Sequence, residues 1–160
     1  MHRVLILGAG KIGALISGLL AESGAYKVQL ADVDGAAAEA VVRAHASAQL
    51  VPVTLDASDA GALTRHLDAH PVDAVISSLP YHCNVRVAEA ARKARVHYFD
   101  LTEDVEVTRS VRTIAAGAAQ AFVPQCGLAP GFISIAAAAG PVGSASSRCA
   151  RRWFRALACH

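Results

Sequence analysis

The chain of 160 residues is 54% hydrophobic and 18% charged, which excludes an intrinsically disordered protein and allows one core of ordinary size. No apolar run reaches the about 18 residues of a membrane span, and the first residues lack the long apolar region and cleavage-like site of a signal peptide. The formal net charge of +2 arises at the end of the chain, where residues 141–160 hold Arg148, Arg151, Arg152 and Arg155 and no acid, while the first 140 residues carry eleven bases against thirteen acids; nucleic-acid binding would therefore rest on the tail alone.

The first strand is "RVLIL", residues 3–7, and a helix follows from about Lys11 to Ser23, with Ile12, Leu15, Ile16, Leu19 and Leu20 at helical spacing. Gly24 is a natural terminator. "YKVQLAD" is the second strand and "GAAAEAVVRAHA" the second helix. "LVPVTLD" is a third strand whose Pro52 suits an edge position or an irregular start. "DAGALTRHLDAH" is a helix with Asp59 as its N-cap. "DAVISSLP" is a strand that runs into a turn, followed by the helix "HCNVRVAEAARKA", the strand "RVHYFDL", the helix "VEVTRSVRTIAAGAA" and a sixth strand "AFVPQC". Apolar strands alternating with helices predict an α/β fold, a Rossmann-type doubly wound parallel sheet of about six strands, covered on both faces.

Beyond "GLAPGFISIAAAAG" the pattern stops. The expected organisation is a dinucleotide-binding domain over residues 1–137 and an atypical arginine-containing tail over 138–160. The tail reads either as a short amphipathic helix around Trp153 and Phe154 or as an end outside the core. Cys83, Cys126, Cys149 and Cys159 are scattered without a C-x-x-C pair. A chain of this size needs no disulfides, so the expected location is the reducing cytoplasm.

Residues 4–13, "VLILGAGKIG", carry the G-x-G-x-x-G spacing between a strand and a helix, where it marks a dinucleotide site. Gly8 permits the tight turn, Gly10 leaves room for a pyrophosphate, and Gly13 lets the helix pack on the sheet. Lys11 and Ile12 open that helix, whose first amides face the phosphates. Asp32 ends the second strand 19 residues beyond Gly13, the place of a carboxylate that bonds both ribose hydroxyls of NAD. A 2′-phosphate would meet a like charge there, and Val33, where an arginine would offset it, adds none. NAD is therefore expected in preference to NADP. Asp34 is the alternative ribose acid, and either aspartate could instead cap the turn before Gly35.

Asp56 and Ala57 fall where an adenine edge would lie, or Asp56 acts as a cap. "SSLP" follows the fourth strand at the carboxyl edge of the sheet, which places Ser78, Leu79 and Pro80 along the cofactor. "HYFDLTED", residues 97–104, groups Asp100, Glu103 and Asp104 at a strand end. It reads as an acidic patch that attracts an amine, or as residues favouring the first turn of the next helix. Tyr98 and Phe99 alternate, so one belongs to the core. His82 could approach the cofactor or stay at the surface. Cys126 reads as a small buried apolar residue. His45, His66, His70 and His97 share no metal-ligand spacing, no metal is expected, and no catalytic residue is identifiable.

"VLILGAGKIG", "DAVISSLPYHCNVRVAEAARKARVHYFDLTEDVE" and "CGLAPGF", in this order over residues 3–137, resemble the saccharopine dehydrogenase family, in particular its lysine 6-dehydrogenase-like branch. The resemblance implies NAD(P)-dependent oxidation or reduction of C–N bonds in amino acids or polyamines. It assigns Gly8, Gly10 and Gly13 to the pyrophosphate turn, Asp32 to the adenosine ribose, and Ser78, Leu79 and Pro80 to the cofactor. It places Asp100 and Glu103 along the substrate side of the cleft, and makes Gly127, Leu128, Pro130 and Gly131 the crossing toward a substrate domain. That domain is expected to be absent, because "GFISI" runs into "AAAAGPVGSASS" and stops, as in a truncated or frame-disrupted version. The expected function is the cofactor-binding half of such an oxidoreductase, inactive alone, with a homodimer as one source of a missing wall. The alternative is a non-enzymatic NAD-sensing module.

Overall fold

The computed structural model describes residues 1–127 and 131. Along them run β1 (His2–Leu7), α1 (Lys11–Glu22), β2 (Tyr26–Asp32), α2 (Gly35–His45), β3 (Leu50–Thr54) and α3 (Ala60–Ala69). The second half holds β4 (Ala74–Ser77), a 3₁₀ turn (Tyr81–Cys83), α4 (Asn84–Ala94), β5 (His97–Asp100), α5 (Val105–Ala115) and β6 (Phe122–Val123). All neighbours pair in parallel in the order β3-β2-β1-β4-β5-β6. This is the doubly wound dinucleotide-binding order, and its crevice opens between the carboxyl ends of β1 and β4, where the winding reverses. Pro52 lies on the edge strand opposite Leu30, where a missing N–H on the open side breaks no ladder.

Local chemistry sets the helix ends. Asp34, Asp59 and Asp104 cap α2, α3 and α5, accepting from the backbone amides of Ala36, of Gly61 and Ala62, and of Val107. Gly24 takes a φ of +69° just beyond the Ser23 cap. Helix α5, expected to reach residue 119, stops at Ala115, and Gly117 turns the chain at φ +68°. The helix expected from residue 82 begins as the tighter 3₁₀ turn.

Two cores flank the sheet. On one face Leu5, Leu7, Val75 and Tyr98 pack with Leu63, Val87 and Val111 from α3, α4 and α5. On the other, Val4, Ile6, Val28 and Leu30 pack with Ala21 and Ala38 from α1 and α2. Helix α1 forms where the apolar spacing predicts it, and Ile16 and Leu20 pack against this core. Ile12, Leu15 and Leu19 are more than half exposed, whereas Gly13, Ser17, Gly18 and Ala21 are buried. Small residues let the helix approach the sheet closely, and of its large side chains Ile16 and Leu20 reach the core while Ile12, Leu15 and Leu19 point outward. The domain boundary at 137 and the tail 138–160 lie outside the described residues, as do Leu128 and Pro130 of the expected crossing.

Candidate functional site

The crevice is built from strand ends that continue the sheet ladder into loops. Gly8 donates to Ala31 O at 2.8 Å, Ser78 donates to Leu7 O at 2.8 Å, and Leu55 donates to Asp32 O at 2.9 Å. Gly8 holds φ +99°, and a Cβ there would stand 2.9 Å from Ser78 O. A Cβ on Gly13 would collide with Gly8 O. Both glycines are demanded by the protein's own packing. Gly10 differs: its φ of −65° and ψ of −179° suit any residue, and a Cβ there would meet nothing within 4 Å. Helix α1, which Gly10 opens, has no side-chain cap, unlike α2, α3 and α5, and no acid in its first turn. Its free amides face an open, electropositive end.

Asp32 joins this turn to the end of β2. One carboxylate oxygen accepts from Ala9 N at 2.7 Å and the other from Asp34 N at 2.9 Å. Asp34 turns its own carboxylate to the Ala36 amide at the start of α2, the capping role that sequence offered for it. A cavity of about 300 Å³ lies against Asp32, with Gly8, Val33, Asp56, Ala57 and Leu79 on its wall. Val33 is 69% exposed beside it. Asp56 accepts from both the amide and the hydroxyl of Ser58, at 2.8 and 2.6 Å, and these bonds hold its pKa below the usual carboxylate value.

A second cavity, about 460 Å³, lies on the other side of Leu79 and is lined by Ile12, Ser78, Tyr81, Leu101, Thr102, Glu103 and Asp104. Glu103 is an exposed carboxylate on this wall, while the Asp104 carboxylate accepts from Val107 N at 2.8 Å as a cap. Pro80 caps the 3₁₀ turn, and neither it nor Lys11 lines either cavity. His82 is exposed and stands edge-on to Tyr81.

Asp100 corrects the expectation of a cleft-lining acid. It is fully buried. Its oxygens accept from Tyr98 Oη at 2.7 Å, Thr102 N at 3.0 Å and Gln125 N at 3.1 Å, and its carbonyl accepts from Cys126 N at 2.8 Å. Burial, then the neighbouring Asp100 carboxylate, push the Tyr98 phenol far above its ordinary pKa, so it stays a donor. Asp100 thus fastens the segment after β6 beneath the wall of the second cavity. Cys126 is exposed, contrary to expectation, with its thiol donating to Val123 O at 3.2 Å. Gly127 and Gly131 are close-approach positions, where a Cβ would stand 3.0 Å from Leu101 O and 2.8 Å from Gln125 O respectively. Sequence reasoning missed the buried pair in which Ser77 donates to Asn84 Oδ1 at 2.7 Å. It also missed Tyr81 as a cavity residue; its place directly after "SSLP" was the available signal.

The sequence matches the family described as "Saccharopine dehydrogenase NADP binding domain" over residues 4–124. The fold is similar to apo saccharopine dehydrogenase (L-Glu forming) from Saccharomyces cerevisiae, with 24% identity and a TM-score of 0.74 over 87% of this chain and 30% of that one. Apo scyllo-inositol dehydrogenase from Lactobacillus casei aligns at 17% identity and a TM-score of 0.61, over 78% of this chain and 36% of that one. The WlbA dehydrogenase from Bordetella pertussis, in complex with NADH and UDP-GlcNAcA, aligns at 18% identity and a TM-score of 0.58, over 74% and 34%. At these identities the likeness is one of fold, and the chain spans about a third of the length of each of these enzymes.

Proposed function

This chain belongs to the family of saccharopine dehydrogenase NADP-binding domains, and on that premise we propose that it binds NAD in the crevice between β1 and β4 as the cofactor half of an oxidoreductase acting on C–N bonds of amino acids or polyamines. Gly10 is the observation that carries this reading. Gly8 and Gly13 are explained by collisions inside the protein, but Gly10 fills no internal need. A glycine there serves a body that approaches the backbone from outside, and the uncapped amides of α1 suit that body to be an anion such as a pyrophosphate.

From the pyrophosphate the dinucleotide extends both ways. Its adenosine end occupies the cavity beside Asp32, with the ribose on the carboxylate and the base near Val33, Asp56 and Ala57; its other end follows Ser78 and Leu79 into the second cavity. The family description names NADP. In this chain, however, a carboxylate stands where a 2′-phosphate would lie, and Val33 supplies no positive charge. NADH in the related WlbA fold supports the same preference. A bound nicotinamide supplies a two-electron hydride couple; the residues of this chain hold and orient it. The order of "SSLPY", "HYFDLTED" and "CGLAPGF" favours the lysine 6-dehydrogenase-like branch, and Glu103 is the acid placed to attract an amine.

Titration calorimetry of the whole chain with NADH and NADPH tests the proposal. NADH is expected to bind more tightly than NADPH. Failure of both to bind below about 1 mM, the weak end of specific recognition, overturns the reading.

A further inference from the structure

Tyr81 is a large aromatic residue that stands outside both cores of the described residues. It is 57% exposed at the start of the 3₁₀ turn, and its hydroxyl has no hydrogen-bond partner among the described residues. Its only ring neighbour among them is His82, edge-on at 5.8 Å between centroids, so no ring of the described residues stacks on its face. Ile12, 52% exposed, stands on the wall of the same 460 Å³ cavity. Single exposed apolar residues are ordinary on protein surfaces. Here two large ones share one cavity, which adjoins the glycine turn through Ile12 and shares Leu79 with the cavity at Asp32.

The two cavities offer different chemistry. The one at Asp32 holds a carboxylate fixed by backbone donors, suited to ribose hydroxyls. The one at Tyr81 combines an aromatic face, a branched aliphatic chain and the exposed Glu103. A flat aromatic ring covers such a surface well, because stacking on a tyrosine face buries apolar area and aligns complementary ring charge. Resting on the dinucleotide reading above, we propose that Tyr81 packs its ring against the nicotinamide of the bound cofactor and, with Ile12, sets the pose of that ring.

The test compares two ligands and two variants of the full chain by calorimetry. NADH carries the nicotinamide; ADP-ribose carries everything up to it. For Tyr81→Ala, NADH affinity is expected to fall about tenfold while ADP-ribose affinity stays within about twofold. Tyr81→Phe, which keeps the ring, should bind NADH within about twofold of the natural chain. The rise in NADH fluorescence on binding should shrink in Tyr81→Ala and persist in Tyr81→Phe. Unchanged NADH binding in Tyr81→Ala overturns the proposal, and so do equal losses of NADH and ADP-ribose, which would make Tyr81 a support for the turn. If the natural chain binds neither ligand, the dinucleotide reading falls, and this proposal with it. If it binds ADP-ribose and Tyr81→Ala binds NADH normally, only the Tyr81 assignment fails.

Discussion

The Asp32 carboxylate accepts the Ala9 amide at 2.7 Å, so the residue that closes β2 also holds the middle of the glycine turn. Its second oxygen accepts from Asp34 N, and Asp32→Ala therefore releases two backbone donors as well as the proposed ribose contact. Charge-assisted hydrogen bonds of this kind are worth about 1.5–3 kcal/mol each. NADH affinity should fall by about 10- to 100-fold in calorimetry. NADPH should lose less, because the substitution also removes the negative charge facing a 2′-phosphate. Equal losses for the two cofactors would reduce Asp32 to an anchor of the turn.

The three glycines should separate fold from binding. Gly13→Ala drives a Cβ into Gly8 O, and Gly8→Ala combines strain at φ +99° with a 2.9 Å approach to Ser78 O; each should lower thermal stability by at least about 1–3 kcal/mol. Gly10→Ala meets no neighbour and should leave the melting temperature nearly unchanged, yet weaken NADH by tenfold or more. If Gly10→Ala binds NADH normally, the pyrophosphate assignment fails.

Asp100 should behave as a residue of the fold. Asp100→Ala leaves the amides of Thr102 and Gln125 without their side-chain acceptor and reduces Tyr98 Oη to its longer bond to Asn84 O at 3.3 Å. Unsatisfied buried donors cost about 1–3 kcal/mol each, and a loss of about 3 kcal/mol or more is expected in urea denaturation. Glu103→Ala, at an exposed position, should change stability by less than about 0.5 kcal/mol. A stable Asp100→Ala protein would contradict the buried network.

These residues also show what the sequence could tell. Gly8, Gly13, the caps at Asp59 and Asp104 and the edge position of Pro52 obey local rules, in which a few neighbours decide the conformation. Asp100 could not be placed that way, because Gln125, which satisfies it, lies 25 residues ahead. Side-chain polarity alone suggested a cleft. The outward turn of Ile12, Leu15 and Leu19 has a similar origin. The helical period was correct, but which of the large residues joined the small ones against the sheet depended on how closely α1 approaches it, which a periodicity does not contain. The positions of Asp32 and Ser78 at the crevice were legible because strand ends define it, while Tyr81 required the shape of the second cavity.

His66 should contribute a measurable pH dependence. Burial, and after it the charge of His70, hold its pKa below the usual 6.5. The unfolded chain then takes up the proton at a higher pH than the folded one. This contribution to stability is complete above about pH 6.5 and is lost as the pH falls through that value toward the folded pKa. Denaturation midpoints measured from about pH 7.5 to 5.5 should decline, and His66→Gln should decline less steeply. Identical slopes would place the effect on other groups.

Turnover is the most exposed expectation. Hydride transfer needs a substrate carbon held against the nicotinamide and a group nearby to manage the proton. Among the described residues, the second cavity offers Tyr81, Glu103 and Asp104 as its ionisable groups, and the Asp104 carboxylate is occupied as the cap of α5. Glu103 is exposed, so it can draw an amine toward the crevice, but solvent screening leaves it little hold on the amine's pose. The related enzymes are about two to three times as long as this chain. We therefore expect the 160-residue chain to bind NADH yet show no NAD- or NADP-linked oxidation of lysine, saccharopine or related diamines at millimolar substrate. Absorbance at about 340 nm, followed with both cofactors, is the measurement. Turnover even at about 0.1 per second, far below the typical enzyme range, would mean that a wall outside the described residues, from this chain or from a second copy, completes the site.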